Sequence, residues 1–159
     1  MVNKARVRPA KANKVKPRHV TKARRDFVPN QAPSQWGRRL ARAVGEKFGV
    51  QMVPNHARNE GTWGNRDIVI KCAKSTMPPV SVLFTTLERI DDVWAVFVMS
   101  DGSAEVWSAP VKVVLAYGHH TRPRKNIVPR VEITRRKLAP HAKLLGTMSP
   151  EEVAECRIP

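Results

Sequence analysis

A chain of 159 residues, 42% of them hydrophobic, suits one ordinary core plus a tail. Its 29 Lys and Arg against 13 Asp and Glu give a formal charge of +16, which directs attention to polyanionic partners. No apolar run approaches the roughly 18 residues needed to span a bilayer, and no apolar region follows the charged start, so neither a membrane partner nor secretion is expected. Cys72 and Cys156 stand far apart and match no zinc spacing; two reduced thiols in an intracellular protein of the cytoplasm, nucleoid or a virus particle are expected.

Residues 1 to 25, "MVNKARVRPAKANKVKPRHVTKARR", hold ten basic residues and no acid, leaving 19 bases against all 13 acids in the remainder, a net +6. Few large apolar side chains and two prolines leave this stretch unable to bury enough surface to fold alone, so a disordered or extended basic arm is expected over 1–33. Lys4, Arg6, Arg8, Lys11 and Lys14, followed by Lys16, Arg18, Lys22, Arg24 and Arg25, are its candidate phosphate contacts. Such contacts release counterions and bind without reading sequence.

Residues 34–159 are expected to form the domain. Trp36, Leu40, Val44 and Phe48 recur every four residues, so the spacing predicts a helix over 34–49 with Ser34 as N-cap and Gly49 beyond its C-terminus. Residues 50–66 read as a short strand start and a Gly-rich loop. "DIVIKCAK" reads as a strand on which Ile68, Ile70 and Cys72 face one way and Asp67, Val69, Lys71 and Ala73 the other. "PVSVLF" (79–84) predicts a strand and "TTLERIDD" (85–92) a short helix capped by threonine. "VWAVFVM" (93–99) is continuously apolar, as in a strand covered on both faces. "SDGS" predicts a tight turn, "AEVWSA" a hairpin partner, and "PVKVVLAYG" (110–118) a short helix between Pro and Gly.

"HHTRPRKNIVPR" (119–130) predicts an exposed basic loop offering Arg122, Arg124 and Lys125 to phosphate; His119 and His120 have no partner at metal-ligand spacing. "VEIT" reads as a strand, "RRKLAPHAKLLG" as helical but interrupted by Pro140, and "SPEEVAEC" as a helix with a Ser cap, Pro in the first turn and two acids at its N-terminus. The expected fold class is therefore α/β, a small central mixed sheet flanked by helices. Of the four tryptophans, Trp63 beside Gly61 and Gly64 alone departs from a core pattern, and packing remains its expected role.

A helix with a glutamate, a glycine-containing loop, "RDIVIKCAKS" and then "PPVSVLFTTLERIDDVWAVFVMSDGSAEVWSAP" together resemble the PD-(D/E)XK, or restriction-endonuclease-like, nuclease superfamily over residues 34 to about 118. The resemblance implies a DNA-binding, Mg²⁺-dependent endonuclease, in which carboxylate oxygens hold the ion and a lysine orients or activates water. It makes Asp67, Lys71, Glu60 and Glu46 the candidate catalytic residues, with Asp67 and Glu60 as candidate Mg²⁺ ligands. One departure stands out. The second acid of the pattern belongs two residues before the lysine, and here Val69 precedes Lys71 and Cys72 precedes Lys74. Asp67 shares a face with Lys71 but lies roughly 13 Å away along a strand, so the second carboxylate has to come from Glu60, Glu46, Asp91 or Asp92. Apart from the resemblance, Lys71 and Lys74 read as phosphate contacts or surface bases ahead of catalytic groups. Two alternatives to cleavage follow: non-catalytic binding of DNA or RNA, and a structural or packaging role for the arm. Nucleic acid, DNA ahead of RNA, is the expected partner, with a homodimer as a further option.

Overall fold

The computed structural model describes residues 32–54 and 59–157; the ten basic residues expected to form the arm lie outside them. Helix α1 (Ala32–Phe48) begins two residues before Ser34, so that residue falls within the first turn instead of capping it. The helix ends at Gly49, whose φ of +75° is the left-handed conformation glycine adopts most readily. Strands β1 (Gln51–Met52), β2 (Glu60–Trp63) and β3 (Arg66–Ala73) then form an antiparallel meander.

The segment read as a Gly-rich loop is thus largely strand. Gly64 and Asn65 alone separate the paired residues Trp63 and Arg66, and Gly64 has φ +62°. A left-handed glycine at the first central position is the requirement of a type II′ hairpin turn, whose twist matches that of paired strands.

Next come β4 (Val80–Leu83), α2 (Phe84–Leu87), β5 (Asp92–Val98) and β6 (Ala104–Pro110). The helix expected over 85–92 is a single turn, capped by Leu83 with no side-chain hydrogen bond, and Asp92 belongs to the following strand. After α3 (Val111–Tyr117) come β7 (His119–His120), β8 (Arg130–Ile133), α4 (Arg135–Leu138) and a 3-10 turn (Ala139–His141). Strand β9 (Lys143–Met148) and helix α5 (Pro150–Glu155) complete the order. β9 replaces part of the helix expected after Pro140. It pairs with β6, and a Cβ at Gly146 would lie 2.9 Å from the Phe48 ring, so the strand passes close under α1. Ser149 caps α5 as expected, and the cap is a reciprocal capping box: the Ser149 hydroxyl accepts from the Glu152 N–H, and the Glu152 carboxylate accepts from the Ser149 N–H.

Six strands form one mixed sheet in the order β1-β2-β3-β5-β6-β9, parallel only between β3 and β5. A second, antiparallel sheet has the order β4-β8-β7. The two faces of β3 serve different cores. Ile68 and Ile70 pack with Trp94, Val96 and Val106 against Leu40 and Val44 of α1 and Val153 of α5. Val69 and Ala73 pack with Val93, Ala95 and Phe97 against Val82 and Val131 of the second sheet, with Leu87, Val114 and Leu138 from α2, α3 and α4. The order of layers is helices, large sheet, then small sheet with short helices. β5 is buried along its whole length, consistent with its unbroken apolar run. Trp63 packs edge-on against Trp94, with centroids 5.3 Å apart, and its indole N–H donates to the Phe48 carbonyl at 3.1 Å.

The meander depends on close backbone approach at Gly61, where an added Cβ would lie 2.6 Å from the Gln51 carbonyl oxygen. Gly61→Ala is expected to cost about 1–3 kcal/mol through overpacking against backbone that cannot rotate away, read as a lower urea midpoint. Wild-type stability in this variant would show that β1 does not hold β2 in the observed register.

Candidate functional site

The β2–β3 hairpin brings Glu60 to the strand on which Asp67 and Lys71 lie. Glu60 pairs with Val69 and Thr62 with Asp67; directly opposite residues of an antiparallel pair share a face. Glu60, Asp67, Val69 and Lys71 therefore all point toward the second layer. The valine in place of the second acid has a glutamate across from it on the neighbouring strand.

That glutamate is engaged. Arg89 donates from Nη1 to Glu60 Oε2 and from Nη2 to Oε1, both at 2.9 Å, and its Nε donates to the Thr85 carbonyl at 3.1 Å. A bidentate fork fixes both carboxylate oxygens in one plane. Burial lowers the Lys71 pKa below the ordinary lysine value, and the negative charge of Glu60 opposes that shift. Asp91 accepts the Asp67 backbone N–H at 2.8 Å, while the Asp91 N–H donates to the Asp67 carbonyl at 2.7 Å. This exchange ties together the starts of β3 and β5. Asp92 lies on the opposite face, paired with Ile68 and buried in an ion pair with Arg66.

The remaining candidates are dispersed. Glu46 is exposed on α1, which covers the Ile68 and Ile70 face, so the sheet separates it from Asp67 and Lys71. Lys74 is exposed just beyond β3. Magnesium takes hard oxygen ligands, from one or two carboxylates together with waters and substrate phosphate, and the resembled pattern supplies two. As arranged, Glu60 gives both its oxygens to Arg89, Asp91 is bonded to backbone, and Asp67 is left as the other carboxylate on this face. No group of three His, Cys, Asp or Glu suited to a metal occurs among the described residues.

Arginines gather elsewhere. In the second sheet Val80, Val82, Val131 and Ile133 face the core. Arg130 pairs with Leu83, and Glu132 with both Ser81 and His119, on the outer face. The loop between β7 and β8 borders a concavity together with residues of this face. At its base the Thr121 hydroxyl donates to the Arg130 carbonyl at 3.1 Å and accepts the Arg130 N–H at 3.0 Å. At its tip the Ile127 N–H donates to the Arg124 carbonyl at 3.0 Å, with Asn126 left-handed at φ +75° in the third turn position. The concavity is a groove of about 450 Å³ lined by His119, Arg122, Arg124, Arg130 and the single acid Glu132. None of its arginines is in an ion pair among the described residues. The loop was legible in the sequence, but Arg130, His119 and the concavity were not, because the register of two strands creates them. Nor does anything local mark Arg89, which lies 29 residues from Glu60.

A larger cleft between α1 and α5, about 620 Å³, is lined by Arg39, Arg42 and Lys47 together with Glu46, Glu152 and Glu155. Its mixed charge does not favour a polyanion. No family model matches the chain, and neither curated proteins nor solved structures yield a match. No described helix is long and apolar enough to cross a membrane.

The lowered pKa of Lys71 has a testable sign. A lysine with a folded pKa below its unfolded value, roughly 10.4, penalises folding while charged in both states. Stability then rises with pH from the lowered value up to the unfolded one. Lys71→Met is expected to raise the urea midpoint at pH 7 and to flatten the rise in stability between neutral pH and pH 10. A variant less stable than wild type at pH 7 would mean that attraction to the Glu60 charge outweighs burial.

Proposed function

We propose that the protein binds nucleic acid, DNA ahead of RNA, through phosphate contacts, and that the Asp67–Lys71 face supports this domain without cleaving the strand. The observation that carries the reading is the set of arginines with no ion pair among the described residues, Arg122, Arg124 and Arg130, around one groove on the outer face of the second sheet. Arginine forks match phosphate oxygens, and a net charge of +16 favours association with a polyanion. Lys125 at the turn, Lys74 beyond β3 and the ten basic residues of 1–25 extend the same chemistry. The non-catalytic half of the proposal draws on Glu60, both of whose oxygens are held by Arg89.

One observation favours a second reading, a Mg²⁺-dependent endonuclease: Glu60, Asp67 and Lys71 share a face of the β2–β3 hairpin. Displacement of Arg89 by substrate or ion would free a second carboxylate there.

Two measurements separate the readings. In a filter-binding titration against duplex DNA, replacing Arg122, Arg124 and Lys125 together by Gln is expected to lower affinity about tenfold or more near 0.1 M salt. The salt dependence should flatten by up to about three phosphate contacts. Unchanged affinity and slope would remove the loop from the interface. In the second, supercoiled plasmid incubated with Mg²⁺ is expected to remain intact. Cleavage by the wild type that disappears in both Lys71→Ala and Asp67→Ala would establish the endonuclease instead.

A further inference from the structure

We infer that the groove bordered by the β7–β8 loop is a seat for one nucleotide bearing a phosphomonoester, at the end of a strand or free. This rests on the nucleic-acid reading for its ligand class and goes beyond it in assigning a pocket and an end-specific contact.

Shape makes the first argument. A phosphodiester backbone passing across a surface needs an extended basic track, whereas these arginines border one concavity of about 450 Å³. That is within the range of small-molecule sites, roughly 300–1,000 Å³. Charge makes the second. A phosphomonoester carries about −1.5 to −2 at neutral pH and three terminal oxygens, and so gains more than a diester from Arg122, Arg124 and Arg130 acting together. The Thr121–Arg130 hydrogen bonds and the Arg124–Ile127 turn hold the loop that brings two of these arginines to the same concavity as the third.

The other lining groups argue against a bare inorganic anion. Glu132 would repel a phosphate beside it, but its carboxylate can accept hydrogen bonds from a sugar hydroxyl or a base amine. Ile127, 39% exposed, adds an apolar wall against which a base can lie. His119, paired with Glu132 across β7 and β8, offers an aromatic face. Phosphate at the arginines and nucleoside toward Glu132 and Ile127 use every kind of group in the groove.

The test uses the full chain and fluorescence anisotropy with four probes: one short single-stranded oligonucleotide with a 5′-phosphate, with a 3′-phosphate and with neither, plus a nucleoside monophosphate as competitor. The expected result is roughly tenfold tighter binding of one phosphorylated end than of the unphosphorylated strand, a preference lost in the Arg122→Gln/Arg124→Gln variant. Both side chains are exposed, so unchanged melting of the variant would confirm that only the site was altered. Competition by the monophosphate at similar affinity assigns the site to a free nucleotide; no competition assigns it to a strand end. Equal, salt-dependent binding of all three oligonucleotides would overturn the nucleotide seat and leave the nucleic-acid reading standing. Binding of the monophosphate alone would do the reverse. No binding of any probe would overturn both.

Discussion

The molecule depends on β3 being covered on both faces. Its even-numbered residues, Ile68 and Ile70, close the core beneath α1 and α5, and its odd-numbered residues, Val69 and Ala73, close the core beneath the second sheet. Because side chains alternate along a strand, a slip of one residue would exchange the two sets and drive Lys71 into the wrong core. The register is held by the type II′ turn at Gly64 on one side and by parallel pairing with β5 on the other. The Asp67–Asp91 exchange, with the Asp67 N–H donating to the Asp91 carboxylate and the Asp91 N–H to the Asp67 carbonyl, sets the start of that pairing. Everything at the candidate site follows from this placement, including the position of Glu60 opposite Val69.

Four acids of the domain hold elements together through ion pairs. Asp92 takes Arg66 from β3, Glu60 takes Arg89 from the end of α2, and Glu105 takes Arg135 of α4 while accepting the Trp107 indole N–H. Arg135 holds the Glu105 carboxyl below its usual range. Glu152 takes Lys47 and caps α5 in the same arrangement. Each of these pairs bridges two elements of the fold. The bases left over are those for which the fold supplies no acid, and in the β7–β8 loop they meet around a single concavity. A chain with 29 bases and 13 acids must leave bases unmatched; the fold decides where.

Much of the architecture was readable locally. The apolar period of α1, the alternation on β3, the continuous run of β5 and the capping residues of α5 each depend on neighbours within a few residues, and each appears as expected. The misreadings share a cause. β2 looked like a loop because "EGTW" is short and its partner lies across a turn, although Gly-Asn between two runs is itself a hairpin signal. β9 looked helical because "KLLGTM" has no strand period, and only the open edge of β6 makes it a strand. The helix expected over 85–92 stops at Leu87, and Asp92 is the first residue of β5, where it pairs with Ile68 of β3. At the site, the sequence indicated Asp67, Lys71 and Glu60 but not the guanidinium that occupies Glu60.

The sequence by itself determined the chemistry available: an excess of bases, an acid and a lysine on one face of a strand, and a valine where the resembled motif carries its second acid. Those are properties of composition and of a two-residue period, and they survive any arrangement of the other elements. Only the tertiary structure decided which charges meet. Cross-strand register set Glu60 beside Val69, the single turn of α2 delivered Arg89 to it, and pairing of β7 with β8 gathered His119, Arg122, Arg124 and Arg130 into a groove. Electrostatic pairing depends on distances of a few ångströms between residues far apart in the chain, and the folded backbone alone fixes those distances.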